Sequence, residues 1–228
     1  MNVIRLPALV ALLGLFMATT GTGARADTVS IGGTYSGQFD MIVNGQVGSY
    51  GGGNVGGSSG VSGGNAMTFA AFFCADLFTD ANLNTTYSAT YNQSGVIGGH
   101  AVVAAGQIAW LIDNIARDLT TQAEYQGLQG LIWELESPGV VQFDTNDNSA
   151  SAVAYYHAYM TALGSNTAPV SDVYWVNPVN GLGQYAYQGF VAATHQQLTA
   201  APEPASLAML GAGLAGLAGL RRRGQNQA

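Results

Sequence analysis

Residues 67–78, Met-Thr-Phe-Ala-Ala-Phe-Phe-Cys-Ala-Asp-Leu-Phe, are apolar and aromatic over most of their length. A run of this kind suits a β-strand buried on both sides, or one crossing between two sheets. Upstream, Gln38 to Val43 alternates loosely between polar and apolar residues and predicts a second strand. Downstream, residues 84–91 (NTTYSATY) carry the β-branched and aromatic content that strands favour.

The period then changes. Between residues 101 and 119 the apolar side chains Ile108, Leu111, Ile112, Ile115 and Leu119 recur at intervals of three and four, with Trp110 beside them, which predicts a helix. Thr121 followed three residues later by Glu124 is a capping-box signature for a second helix running to about Glu136, ended by Pro138 and Gly139. A third helix is expected over residues 149–163, with Gly164 as its stop. Residues 172–176 (DVYWV) and 185–192 (YAYQGFVA) read as two closing strands. Strands, a helical middle and strands again imply an α+β fold: a β-sandwich or barrel with a three-helix insertion between early and late strands.

Residues 45–64 hold ten glycines among Ser, Asn and Val, and read as a flexible loop or a glycine-rich hairpin excursion. Gly56 to Gly60 within it match G-x-S-x-G. A stretch so rich in Gly and Ser produces that match by chance, with no strand-to-helix elbow around it.

The two ends read as addresses outside the fold. Residues 1–26 form a secretory signal: Arg5, an apolar run from Leu6 to Ala18, and a small-residue exit ending at Ala26. Signal peptidase would therefore leave Asp27 first, and residues 27–200 as the exported domain. At the other end, residues 201–228 contain Pro202, Glu203 and Pro204, then an apolar segment over 205–220, then Arg221, Arg222 and Arg223. At 1.5 Å per residue, those 16 residues would reach roughly 24 Å as a helix, a thin match to a ~30 Å hydrocarbon core. The arginines should remain cytoplasmic, which places the domain outside. Gly211, Gly213 and Gly216 spell G-x-G-x-x-G there, but no strand precedes them and no dinucleotide site is expected.

Only 8% of residues are charged, against about 25% in an ordinary soluble domain. The chain has no lysine, and residues 27–200 hold one base, Arg117, against twelve acids, a net charge of −11. Nucleic acid is excluded as a partner, because binding it needs clustered Lys and Arg. The single cysteine, Cys74, rules out an internal disulfide and a multi-thiolate metal site. His100, His157 and His195 lie far apart, without ligand spacing. Asp144, Asn146 and Asn148 imitate the start of a calcium loop, but Ser149 replaces the required Gly and Tyr155 the bidentate Glu, so a polar turn into the third helix is expected. Glu124, Glu134 and Glu136 share one helix, so no glycosidase-type carboxylate pair stands out. No cofactor, metal or enzymatic activity is expected.

The tail, with its Pro-Glu-Pro, apolar segment and arginines in that order, resembles the PEP-CTERM sorting signal of Gram-negative bacteria. That resemblance implies an exosortase-type transpeptidase as partner, a precursor held transiently in the inner membrane, and a final place at the cell surface or outside the cell. The exported domain resembles the thioester domains of bacterial surface adhesins at three ordered landmarks. These are Phe72-Phe73-Cys74-Ala75; Leu128-Gln129-Gly130-Leu131-Ile132-Trp133, similar to a Thr-Gln-x-Ala-Ile-Trp helix; and Tyr187-Gln188-Gly189-Phe190, similar to an apolar-Gln-apolar-apolar strand. Leu128, Leu131 and Gly189 depart from the family pattern. The resemblance implies a Cys74–Gln188 thioester with Phe73, Gln129 and Trp133 supporting it, and an amine-bearing surface target. Phe73, Phe190 and Tyr187 would keep water from the bond, and the absence of lysine leaves no internal ε-amine to quench it. The alternative is a non-covalent component of the extracellular polysaccharide matrix, in which Tyr155, Tyr156, Tyr159, Tyr174 and Trp175 could stack on sugars, about half of them being core by default.

Overall fold

The computed structural model describes residues 27–194. The expected signal helix (1–26), the segment 205–220, the processing residues Ala26, Pro202, Glu203, Pro204 and Arg221 to Arg223, and His195 lie outside the described residues.

The strands are β1 (Thr28–Ser30), β2 (Gln38–Val43), β3 (Gln46–Gly51), β4 (Ser59–Ser62), β5 (Asn65–Cys74), β6 (Thr86–Asn92), β7 (Val96–Ile97), β8 (His100–Ala101), β9 (Val141–Phe143), β10 (Tyr174–Val179) and β11 (Phe190–Thr194). The helices are α1 (Ala105–Asn114), α2 (Gln122–Glu136) and α3 (Ala150–Leu163). Six strands close an antiparallel barrel in the order β1-β4-β5-β11-β10-β6, and β3-β2-β9 form a second sheet. The fold is therefore α+β with a barrel and three helices between early and late strands, as the alternation of periods implies.

The core joins the two faces of β5. Phe72 stacks on Phe190 of β11 at 4.4 Å, and Phe73, on the opposite face, meets Tyr125 of α2 at 6.2 Å. The apolar run is thus buried on both sides only from Ala71 to Cys74, where the strand ends; Met67 to Ala70 are half-buried or exposed. Residues 75–78, included in the expected strand, turn away instead: Asp76 accepts hydrogen bonds from the Phe78 amide and the Thr79 hydroxyl.

The second helix begins with the expected capping box, Thr121 and Glu124 bonding each other's backbone reciprocally. Those bonds, first to the Thr120 and Thr121 amides, hold the Glu124 carboxyl below its usual range. The third is capped by Ser149 and stops at Gly164. The first is shorter than its periodicity suggests, because residues 96–101 make the β7–β8 hairpin and residues 116–118 tighten into a 3-10 turn.

The glycine-rich stretch 45–64 takes the hairpin form rather than that of a flexible loop: β3 and β4 occupy half of it, with Asn44–Gly45 and Gly63–Gly64 making the two-residue turns that positive φ permits. Two expectations need correction. Residues 172–176 shift to β10 at Tyr174–Val179, since 170–172 form a 3-10 turn. The last strand starts at Phe190, not at 185, so Gln188 lies just ahead of it. Its amide donates to the Asp80 carbonyl in a loop rather than to a sheet partner, 3.2 Å away.

Candidate functional site

On β5, alternate residues aim their backbone groups at opposite edges. One edge faces β11, with Phe190 opposite Cys74 and the Ala75 amide donating to the Gly189 carbonyl at 2.8 Å. The other edge pairs with β4 only as far as Thr68. Beyond it, the Phe72 amide donates to Asn54 Oδ1 (2.9 Å) and its carbonyl accepts from the Val55 amide (2.8 Å). At Cys74 a side chain takes over from a strand. Gln129 Oε1 accepts from the Cys74 and Gly53 amides, both at 3.0 Å, while its Nε2 donates to the Cys74 carbonyl at 2.6 Å. Gln129 is fully buried in the middle of α2, and all three of its bonds hold the backbone around the thiol.

Trp133, one turn further along α2, is the second support. It is fully buried, stacked on Phe39 at 5.3 Å and edge-on to Tyr50 at 6.5 Å. A Cβ on Gly52 would lie 2.6 Å from the indole, so only glycine lets the 52–53 backbone reach both Trp133 and the Gln129 carboxamide.

Gln188 reaches the same place from the other side. It lies two residues before Phe190, the cross-strand partner of Cys74, just outside the strand. Its Nε2 donates to the Asp76 carbonyl at 2.8 Å. Cys74 and Gln188 together line a cleft of ≈ 200 Å³ that also touches Ile31, Val55, Leu83 and Phe190. Gly189, where the pattern calls for an apolar side chain, is filled from outside: a Cβ there would meet Ile97 of β7 at 2.6 Å.

The thiol is 3% exposed and unpaired. Burial first, and then the negative charge of Asp76, push its pKa up to about 12, so at neutral pH it is held as SH. The environment favours a reaction in which no ion is left behind.

Phe73 is placed differently from the expectation. It sits against Tyr125 on the helix side of the sheet and supports the strand, while Ile31, Val55, Leu83 and Phe190 wall the cleft. Tyr187 packs on Tyr87 at 4.5 Å, outside that lining. The sequence reading missed Gly52, Gly53, Asn54, Tyr35 and Asp80, all of them near the thiol.

Other candidates resolve into structure. Ser58 of the G-x-S-x-G match donates to the Val55 carbonyl and accepts from the Gly32 amide, both at 2.9 Å. Asp144 caps the turn before α3 through the Asn146 amide, and Asn148 bonds both backbone groups of Asp40. Of the aromatics considered for sugar stacking, Tyr156, Tyr159 and Trp175 are core residues.

A second cleft of ≈ 460 Å³ adjoins the first through Tyr35, which lines both. Its walls include Thr34, Ser36, Asn54, Gln122 and Tyr125, a polar set without charge.

Among the described residues no helix is long and apolar enough to cross a membrane. No curated protein and no solved structure matches the chain. Residues 200–223 match the family model of the PEP-CTERM protein-sorting motif. That motif marks the chain as an exosortase-targeted, exported surface protein whose precursor is anchored in the membrane.

Proposed function

We propose that the exported domain is a covalent-attachment module that captures amines on an extracellular target through a Cys74–Gln188 thioester. In the forming step, Cys74 Sγ attacks the Gln188 carboxamide carbon. The carbon–nitrogen bond breaks, the thiol proton leaves with the nitrogen, and ammonia is released. In the capture step a target amine attacks the same carbon, the carbon–sulfur bond breaks, an amide forms, and a proton from the amine passes to the sulfur. Holding both reactants in one cleft converts an unfavourable encounter into an intramolecular one, worth several kcal/mol of barrier.

The observation that supports this reading is that Cys74 and Gln188 line one cleft, with Gln129 clamping both backbone groups of the cysteine. The chain's lack of lysine suits it, since no ε-amine of its own competes. The test is Cys74→Ala. The parent should form denaturation-resistant adducts with amine-bearing polymers and the variant none; equal capture by both would refute the proposal.

The uncharged polar cleft beside Tyr35 favours a second reading, non-covalent binding of extracellular polysaccharide. Glycan binding that is undiminished in Cys74→Ala, without any adduct from the parent, would select it.

A further inference from the structure

The cleft that holds Cys74 and Gln188 has one charged residue in its lining, Asp80. Its neighbour Asp76 is occupied, accepting from Phe78 and Thr79. Asp80 is exposed, and among the described residues its carboxylate accepts no hydrogen bond; only its backbone carbonyl is used, by the Gln188 amide. No cation of the domain competes for it, because the one arginine in the described residues, Arg117, is paired with Asp113 at 2.9 Å. An unpartnered carboxylate, tethered through its own backbone to the residue that would carry the acyl group, thus stands at the cleft.

We infer that Asp80 is the specificity-determining residue of this site and selects primary alkylammonium groups over uncharged nucleophiles. The inference rests on the Cys74–Gln188 reading above and names its substrate class. An aliphatic amine arrives protonated and cannot attack in that form. Asp80 attracts the ammonium, which gives one proton to water. The neutral nitrogen then attacks the Gln188 acyl carbon, the carbon–sulfur bond breaks, and the nitrogen's second proton passes to Cys74 Sγ. The products are a Gln188 amide, a thiol and one proton in solvent. An exposed carboxylate beside the acyl carbon raises the local concentration of a cation, an effect that salt weakens.

The experiment compares the parent with Asp80→Asn at neutral pH, using methylamine, which is cationic, and hydroxylamine, which is not. Release of the Cys74 thiol is followed together with intact mass. Asparagine keeps the backbone carbonyl that binds Gln188, so the cleft should persist. Asp80→Asn is expected to slow the methylamine reaction up to about fivefold while leaving hydroxylamine within about twofold. An equal effect on both nucleophiles, or none on methylamine, overturns the role of Asp80 but leaves the thioester intact. A parent that reacts with neither overturns the thioester and this inference with it.

Discussion

Replacing Gln129 by leucine is expected to lower the unfolding free energy by roughly 3–9 kcal/mol, because three buried backbone groups lose their partner at about 1–3 kcal/mol each. Those groups are the Gly53 amide, the Cys74 amide and the Cys74 carbonyl. Leucine fills a similar volume, so a cavity adds little. No neighbouring strand can replace the lost bonds, since β4 pairs with β5 only through Thr68. Urea unfolding followed by tryptophan fluorescence measures the loss as a lower midpoint at constant slope. A second readout is local: Cys74 should become open to alkylation under native conditions. A loss below about 1 kcal/mol would mean that the carboxamide is incidental to the strand end.

Trp133→Ala is expected to cost about 3–5 kcal/mol, the usual range for removing a large buried aromatic. The indole is fully buried between Phe39 and Tyr50 and supports the glycine backbone at Gly52. Among the described residues its Nε1 has no hydrogen-bond partner, so the loss is one of packing. Trp133→Phe should recover more than half of it, because the ring stack on Phe39 can be retained. Equal midpoints for the alanine and phenylalanine variants would contradict that assignment.

These two side chains show which parts of the site were legible from sequence. The helix was clear from Thr121 and Glu124, and the Gln129–Trp133 spacing of four residues places both on one face of it. The thiol was clear because the chain has one cysteine, inside an apolar and aromatic run. The opposite wall was not legible. Residues 45–64 are mostly small and carry no usable periodicity, so they read as flexible. They are ordered because partners far along the chain complete them: Gln129 binds Gly53, and Asn54 extends the edge of β5. β9 escaped for a related reason, since three residues are too few to show alternation and their place is set by pairing with β2. Gln188 was assigned to a strand because Tyr185 to Ala192 has strand composition. Its real position depends on Asp80 and Asp76, which local sequence does not reveal. Gly189, a departure from the adhesin pattern, is complementary to Ile97 and so belongs to the packing of this barrel.

The raised pKa of Cys74 also bears on how the bond could form. A buried thiol raised to about 12 is a poor nucleophile, and its ion would be costly in this cleft. Closing the thioester removes the titrating group and leaves a neutral, apolar linkage suited to walls of Ile31, Val55, Leu83 and Phe190. The same walls keep water away until a nucleophile enters beside Asp80.

Intact mass of the mature domain, recorded before and after methylamine treatment, tests the Cys74–Gln188 bond most directly. The expected value is about 17 Da below the sequence mass, the ammonia expelled on acylation, with Cys74 resistant to alkylation until methylamine opens the bond. A mass equal to the sequence, with Cys74 alkylated at the same rate with or without methylamine under denaturing conditions, would contradict it.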